Sequence, residues 1–314
     1  MQILRTIELP ELGKKYKGKV RDCYVLGDKR VLVTTDRISA FDQNLGYIPY
    51  KGQVLNQLSA FWFEKTKDII QNHMISAPDP NVMIAKNTKP ILIEMIVRGY
   101  ITGVTGTSIW GSYANGEREI YGITFPDGLS KNQKLPHPVI TPTTKPEVGH
   151  DARLTRTEIM KSDLVSKKHY EAMEEAAMSL YMFGEKFAKE KGLLLVDTKY
   201  EFGVYENEVM LIDELHTPDS SRYWIEATYE EKFRNGIEPE NFDKEFLRLW
   251  YKERGYMGDG VPPRMDESFI KEVSSRYITC YETLTGKKFS YPKLTDIEAR
   301  IRKNLSKSGI LEGK

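Results

Sequence analysis

The chain has 314 residues, of which 40% are hydrophobic and 29% are charged, and its 46 Lys and Arg nearly balance its 45 Asp and Glu. This composition indicates a globular protein of two or three packed units and lacks the basic excess typical of nucleic-acid-binding proteins. Cys23 and Cys280 lie far apart, which excludes a disulfide framework and fits a reducing cytoplasm. The most apolar stretch, 91–97, is too short to cross a membrane, and the charged N-terminus is unlike a signal peptide. We therefore expect a cytoplasmic protein that binds neither nucleic acid nor a membrane.

Residues 1–97, the first predicted region, are expected to be mostly β-structure. Two strands, at 20–25 and 30–34, are joined by a Gly-Asp turn, and 91–97 forms a third strand. Apolar residues between the second and third strands recur at helical spacing, which predicts one helix there.

Residues 98–225, the second predicted region, mix strands, helices and irregular segments. Four prolines make 135–147 extended and irregular. An amphipathic pattern predicts a long helix over about 170–187. The strands predicted at 193–202 and 209–215 are separated by a short link, which indicates a hairpin.

Residues 226–314, the third predicted region, are expected to be helical and packed on the second region. One helix contains the apolar residues 246–250. A second covers about 269–284, with Asp266 as its N-cap and Gly286 just past its end. The charged tail after Thr295 is expected to fray.

Charged side chains alternate along the strand predicted at 193–202. Asp197, Lys199 and Glu201 share one face, because successive side chains in a strand point to opposite faces. Asp213 lies across the predicted hairpin. Glu201 and Asp213 would then offer Mg²⁺ the carboxylates it prefers, with Lys199 placed against a phosphate. The alternative is a solvated strand face with a weak surface ion pair, and the pattern alone supports both interpretations equally.

Four further segments carry residues that suit anionic ligands. Residues 17–22 place a glycine among cations but lack P-loop spacing, so a basic turn is the simpler interpretation. Residues 35–42 follow a strand and form either a ligand loop or a helix cap through Ser39 or Asp36. Arg98 offers a fork for carboxylate or phosphate, although a surface arginine is the commoner case. The segment around Arg222 closely follows the acidic strand, which favours a functional role.

Several of these segments together resemble one enzyme family. Residues 91–103 and 195–203 are similar to the two signatures of the phosphoribosylaminoimidazole-succinocarboxamide synthase (SAICAR synthetase) family. Further matches, in the same order as in the family, are 18–22, 35–42, 141–145 and the stretch from Asp213 through Trp224. The resemblance implies an α+β, SAICAR synthase-like and ATP-grasp-like fold of two lobes, with antiparallel sheets and a C-terminal helical region. It implies that the N-terminal lobe binds ATP and that the second lobe holds the substrate and metal site.

The resemblance also implies an activity, the ATP-dependent ligation of L-aspartate to 5-amino-1-(5-phosphoribosyl)imidazole-4-carboxylate (CAIR). The products would be SAICAR, ADP and phosphate, formed through an acyl phosphate in de novo purine synthesis. The chemistry is consistent, because a carboxylate must be activated before an amine can displace an oxygen from it. Two alternatives are an ATP-dependent small-molecule kinase on a similar scaffold and a nucleotide-binding regulatory module without catalysis. The oligomeric state is not indicated by the sequence.

The resemblance assigns roles to individual residues, with Mg²⁺ as cofactor and ATP as co-substrate. The catalytic residues are Lys199 and Asp197, and the metal ligands are Glu201 and Asp213. The residues assigned to ATP are Gly18, Lys19, Val20, Arg21, Glu94 and Lys199. The residues assigned to CAIR and aspartate are Ser39, Asp42, Arg98, Lys145, His150, Asp151, Asp219 and Arg222. Val104 stands where the family usually has a serine near the substrate phosphate, and valine cannot donate a hydrogen bond.

Overall fold

The computed structural model describes residues 2–41, 43–103, 107–145, 151–242, 244–292 and 296–311. Three residues singled out from the sequence, Asp42, Val104 and His150, lie outside the described residues. Within them the chain combines antiparallel sheets with helices, as predicted for an α+β fold. None of the helices in the described part of the chain is both long and apolar enough to cross a membrane.

The N-terminal part of the chain forms a five-stranded antiparallel sheet in the order β1-β2-β3-β7-β6. Its strands are β1 (Lys15–Lys17), β2 (Arg21–Leu26), β3 (Lys29–Thr34), β6 (Met74–Asp79) and β7 (Val82–Lys86). The predicted Gly-Asp turn joins β2 to β3. A separate two-stranded ribbon consists of β4 (Arg37–Ala40) and β5 (Gln43–Tyr47), and a short 3₁₀ turn covers Pro10–Leu12.

A second, six-stranded sheet has long central strands. The order β11-β8-β13-β14 forms its main path, while β12 pairs with β8 and β15 pairs with β13. Its strands are β8 (Lys89–Ile101), β11 (Gln133–Ile140), β12 (Thr143–Thr144), β13 (Leu193–Tyr205), β14 (Glu208–Ile212) and β15 (Ser221–Ile225). A small ribbon adds β9 (Glu119–Ile120) and β10 (Ile123–Thr124). The register of β11 on β8 shifts between Lys134 and Val139, where prolines cannot donate to a ladder.

The helices pack around these sheets. They are α1 (Lys51–Lys65), α2 (Ile109–Ala114), α3 (Arg156–Lys161), α4 (Lys167–Lys189), α5 (Glu226–Arg234), α6 (Glu245–Glu253), α7 (Glu267–Thr285) and α8 (Ile297–Lys307). The predicted caps of α7 are present, because Asp266 accepts from the Phe269 N–H at 2.8 Å and Gly286 adopts a left-handed φ of 69°. Gly52 lets α1 begin against β3, since a Cβ there would lie 2.4 Å from the Thr34 carbonyl oxygen.

The prediction that the tail after Thr295 frays is wrong. Helix α8 buries Ile301 and Leu305 in an apolar cluster with N-terminal residues such as Leu4. Arg300 on the same helix donates two hydrogen bonds to the buried Asp79 carboxylate, at 3.0 and 3.1 Å. The tail is charged on one face only, and its apolar face is covered by the first sheet.

The three predicted regions do not separate cleanly. Strand β8 runs through the predicted boundary after residue 97, and α5 begins at the boundary after 225. Helix α5 contacts β15, but α7 contacts α1 and α8 contacts β6. The C-terminal helices therefore touch the N-terminal elements as well as the second sheet, and the division into three regions stays a prediction.

The main apolar core lies behind β13 and β8. It contains Trp62 of α1, Leu180 of α4, and Leu195, Tyr200 and Phe202 of β13, all fully buried. Full burial of one such side chain contributes about 1.5–3 kcal/mol. The core therefore fixes which face of β13 is turned away from it, and that face carries the charged residues.

Candidate functional site

A cleft of about 770 Å³ lies where the start of β2 and strand β4 meet the charged faces of β8 and β13. Every predicted site residue that falls within the described residues lines this cleft. They are Gly18, Lys19, Val20, Arg21, Ser39, Glu94, Arg98, Lys145, Asp151, Asp197, Lys199, Glu201, Asp213, Asp219 and Arg222. The interpretation of the strand as a solvated face with a surface ion pair is therefore wrong, because Asp197 and Glu201 are only 8% and 5% exposed and line the cleft.

Lys199 is the centre of an acidic cluster in the cleft. Its ammonium donates to Glu94 Oε1 at 2.9 Å and to Glu201, and it lies 3.9 Å from Asp213 Oδ2. The Lys145 ammonium donates to the other oxygen of Glu201. The cross-strand pairing of Glu201 with both Glu94 and Ile212 brings these groups together, and Asp213 follows Ile212 directly.

The environment of this cluster shifts several pKa values. Burial disfavours the charged form of Lys199, but Glu201, Glu94 and Asp213 offset this and raise the Lys199 pKa well above its ordinary value. Burial raises the pKa of Glu94 despite the neighbouring ammonium. Burial also opposes ionisation of Asp213, yet Arg21 and Lys199 hold the Asp213 pKa below its usual range.

The backbone at the end of the hairpin is unusual. Asp213 has a φ of 70°, a left-handed conformation that non-glycine residues rarely adopt. Arg21 of β2 donates to Asp213 and lies 3.4 Å from Glu214 Oε2. The turn therefore presents two adjacent carboxylates to one guanidinium from the other sheet, and this contact bridges the cleft.

The predicted basic turn before β2 is held from behind by Arg37. This buried side chain donates to the carbonyl oxygens of Lys19 at 3.2 Å and Gly18 at 3.1 Å, and to Asp22 at 2.8 Å. The Thr35 hydroxyl donates to the next carbonyl, that of residue 20, at 2.6 Å. These carbonyls are thus engaged by groups behind the turn. Arg37 was not selected from the sequence, although it lies in the segment 35–42 that was.

In the segment 35–42 the structure shows the helix cap at Asp36, while the ligand role of Ser39 stays a prediction. Ser39 lies in β4 and lines the cleft. Asp36 instead accepts from the Gly52 N–H at 2.9 Å, and so caps α1 from outside the helix. Burial raises the pKa of Asp36 to about 6.

Two arginines converge on Asp197 at the other end of the cleft. Arg222 Nη1 donates to Asp197 Oδ2 at 2.9 Å, and Arg98 Nη1 donates to the same oxygen at 3.4 Å. Arg98 Nε also donates to the Thr141 hydroxyl at 2.8 Å. Arg98 lies within β8, which continues to Ile101, rather than at the end of the strand as the sequence suggested. Asp197 thus orders both guanidinium groups.

Asp219 is a buried anchor as well as a cleft residue. Its Oδ2 accepts from Lys51 at 2.8 Å and Lys244 at 3.1 Å, and its Oδ1 accepts from Tyr277 at 2.6 Å. Burial lowers the pKa of Lys244 to about 8, and Asp219 only partly opposes this. The carboxylate therefore ties α1 and α7 to the cleft.

Sequence reasoning missed several residues of the cleft wall. Lys244 and Arg248 line it from the start of α6, where only the apolar pattern was used to predict a helix. The sequence does offer one signal for these residues, a Lys-Glu pair followed three residues later by Arg.

The predicted alternation along β13 also fails at one point. A register shift beside Leu195 places Val196 in a separate apolar cluster from Tyr200.

No group of three or more His, Cys, Asp or Glu side chains suited to a metal ion occurs in the described part of the chain. The predicted ligands Glu201 and Asp213 both approach the Lys199 ammonium, so their carboxylates face one common point. Two carboxylates suffice for Mg²⁺ where substrate phosphates and water complete its coordination.

Comparison with known proteins gives a consistent result. The family model for SAICAR synthetase matches residues 14–265. The phosphoribosylaminoimidazole-succinocarboxamide synthase of Legionella pneumophila (strain Paris) is 53% identical over 281 residues, covering 89% of this chain and 90% of that protein. The chloroplastic enzyme of the same name from Arabidopsis thaliana is 48% identical over 303 residues, covering 96% and 74% of the two chains.

A solved structure has the same fold. SAICAR synthase from Saccharomyces cerevisiae, in complex with SAICAR, superposes with a TM-score of 0.78 at 33% identity, covering 92% of this chain and 100% of that one. The predicted SAICAR synthase-like fold and the predicted enzyme class are thereby confirmed. The chain belongs to the SAICAR synthetase family, and with it to the ligases of purine biosynthesis.

Proposed function

We propose that this chain uses ATP to join L-aspartate to CAIR, giving SAICAR, ADP and phosphate. The observation that carries the proposal is the single cleft in which an acidic cluster around Lys199 lies beside the arginine pair on Asp197. One end suits a nucleotide with a divalent cation, and the other suits an anionic ribonucleotide. The yeast relative is described as binding SAICAR, which supports the same assignment here.

The ATP phosphates are assigned to the end of the cleft formed by the turn before β2. Gly18, Lys19 and Val20 line it, with their carbonyl oxygens engaged by Arg37 and Thr35 behind the turn. Because these carbonyl oxygens are already hydrogen-bonded, their negative ends are not directed at the negatively charged phosphates. Lys199 and Arg21 add positive charge, and Glu94 completes the proposed ATP site.

Glu201 and Asp213 are the proposed Mg²⁺ ligands, because Glu201 pairs with the Lys199 ammonium and Asp213 lies 3.9 Å from the same ammonium. When bound, Mg²⁺ would shield the negative charge of the ATP phosphates. Lys199 and Lys145, which now donate to Glu201, would then be available to phosphate oxygens. Glu201 lies on β13 opposite Ile212, and Asp213 directly follows Ile212, so the hairpin of β13 and β14 holds the two carboxylates near each other.

The chemistry has two stages. The CAIR carboxylate attacks the γ-phosphorus of ATP, the bond to ADP breaks, and an acyl phosphate forms. The aspartate amine then attacks the acyl carbon, the carbon–oxygen bond to phosphate breaks, and the nitrogen loses a proton. Lys199 and Lys145 offset the negative charge that develops on the transferring phosphoryl group. Lys145 and Asp151 lie beside the acidic cluster and are assigned to aspartate and the imidazole.

The ribonucleotide is assigned to the other end of the cleft. Arg98 and Arg222 line the cleft there, oriented by Asp197, and Ser39 also lines the cleft. Each charge-assisted hydrogen bond to the substrate contributes about 1.5–3 kcal/mol. A cytoplasmic location is part of the same proposal, supported by a sequence with two cysteines, Cys23 and Cys280, that lie far apart.

The test is ADP release from ATP with CAIR, measured with and without aspartate. A ligase forms SAICAR in amounts equal to ADP and needs aspartate for sustained turnover. Full ADP release with a stable phosphorylated product in the absence of aspartate would instead establish a small-molecule kinase. Binding of Mg-ATP without any turnover would establish a regulatory module.

A further inference from the structure

Behind the wall of the cleft nearest α6 lies a carboxylate, that of Glu245, to which none of the proposed roles is assigned. Glu245 Oε2 accepts from Arg222 Nη2 at 3.4 Å and from Arg248 Nη1 at 3.2 Å. Both arginines line the cleft, whereas Glu245 is only 8% exposed and is not part of the cleft wall. We propose that Glu245 is a positioning residue that holds Arg222 and Arg248 for the phosphate group of the ribonucleotide substrate. This inference rests on the proposed function.

The geometry favours a positioning role. Arg222 donates through Nη1 to Asp197 and through Nη2 to Glu245. One carboxylate on strand β13 and one on helix α6 therefore fix the plane of a single guanidinium. A guanidinium that is already held in place loses less rotamer entropy when it binds an anion. Each guanidinium has five N–H donors, so both arginines can bond Glu245 and still donate to a phosphate.

The balance of charge points to a doubly negative ligand. The ion pairs around this end of the cleft join five cations to three carboxylates. The cations are Arg98, Arg222, Arg248, Lys51 and Lys244, and the carboxylates are Asp197, Asp219 and Glu245. The excess of two positive charges matches a phosphate monoester, whose charge is about −1.5 to −2 at neutral pH. Burial opposes ionisation of Glu245, but Arg222 and Arg248 lower its pKa below the ordinary value, so it remains charged.

A purely structural role for Glu245 is the competing explanation. It is the first residue of α6, where a negative charge stabilises the helix through its dipole. That role would affect folding but would not distinguish a phosphorylated ligand from one without phosphate. The two explanations therefore differ in a binding measurement.

The experiment measures the Kd of CAIR and of its dephosphorylated nucleoside, by calorimetry without ATP, for wild type and Glu245→Gln. We expect Glu245→Gln to weaken CAIR binding about tenfold and to leave nucleoside binding unchanged. The KM for ATP stays unchanged and kcat stays within about twofold. Glu253→Gln, at the exposed end of the same helix, leaves all of these values unchanged.

Two further variants keep the inference testable. Glu245→Asp keeps the charge and should lose less CAIR affinity than Glu245→Gln, and it serves as the test if the glutamine variant does not fold. In an Arg222→Lys background, Glu245→Gln should weaken CAIR binding much less than it does in the wild type, because the two residues act through one contact.

Three results would overturn the inference. They are equally weakened binding of CAIR and of its nucleoside, unchanged binding of CAIR, and effects on CAIR binding that are additive in the double variant. Wild-type turnover to SAICAR separates these results from the proposed function. If the wild type makes SAICAR and Glu245→Gln binds CAIR normally, only this inference fails. If the wild type binds no CAIR, both fail.

Discussion

Replacement of Lys199 by alanine tests the centre of the proposed ATP site. The ammonium contacts Glu94 at 2.9 Å, Asp213 at 3.9 Å and also Glu201, so its removal leaves three carboxylates facing one another. Loss of one charge-assisted bond to an ATP phosphate costs about 1.5–3 kcal/mol. The KM for ATP should therefore rise about tenfold to a hundredfold.

The same change should alter stability in a pH-dependent way. Breaking a buried ion pair costs about 3–5 kcal/mol, and protonation of one carboxylate relieves part of this cost. Burial already raises the pKa of Glu94, and Lys199 is the main group that lowers it. Its loss should raise the Glu94 pKa further. A carboxyl with a raised folded-state pKa binds protons more tightly than in the unfolded chain, so stability falls as pH rises above about 4.5.

The assays are steady-state kinetics with ATP varied at saturating CAIR and aspartate, and denaturant unfolding at pH 5.5 and 8. Relative to wild type, Lys199→Ala should lose more stability at pH 8 than at pH 5.5. Lys168→Ala, an exposed lysine on α4, is the control and should change neither quantity. A normal KM for ATP and a normal rate in Lys199→Ala would refute the phosphate assignment, and an equal loss at both pH values would refute the electrostatic argument.

Three further predictions concern metal binding, acid stability and the C-terminal helix. Glu201→Gln and Asp213→Asn should each abolish turnover while circular dichroism shows a retained fold; unchanged rates and Mg²⁺ dependence in both would remove the metal assignment. Burial lowers the pKa of His73 to about 3, so the unfolded chain binds the proton more tightly and stability falls as pH drops below about 6.5. The loss is about 2 kcal/mol at pH 5, and His73→Gln should shrink the stability difference between pH 7 and 5 by that amount in denaturant unfolding; an unchanged difference would contradict it. Arg300→Met should destabilise by about 3–5 kcal/mol, because it leaves the buried Asp79 carboxylate without its guanidinium, and a change under 1 kcal/mol in urea unfolding would contradict this.

Much of the candidate site could be predicted from the sequence because its central residues lie on one strand and one hairpin. Alternation along β13 puts Lys199 and Glu201 on the same face, and the short link to β14 brings Asp213 beside them. Apolar side chains such as Tyr200 show that the opposite face is buried. These relations depend on local geometry, which the order of residues specifies directly.

Contacts between distant segments could not be predicted in this way. Lys51 and Asp219 are 168 positions apart, yet they form a buried ion pair. Arg37, which engages the carbonyls of the basic turn, and Glu245, which pairs with two arginines, each look like ordinary charged residues in the sequence. Their partners depend on which surfaces pack together, and periodicity contains no information about that.

The charged tail is a second case in which the sequence did not predict a contact between distant segments. Its composition predicts fraying, but α8 is ordered because Ile301 and Leu305 meet an apolar surface formed by the first sheet and the N-terminal residues. The strand face around Lys199 could be identified from the sequence, because one strand and its turn specify it. Only the tertiary structure decided whether that face is solvated or lines a cleft, because packing of distant segments leaves Glu201 only 5% exposed and brings Arg21 of the other sheet to Asp213.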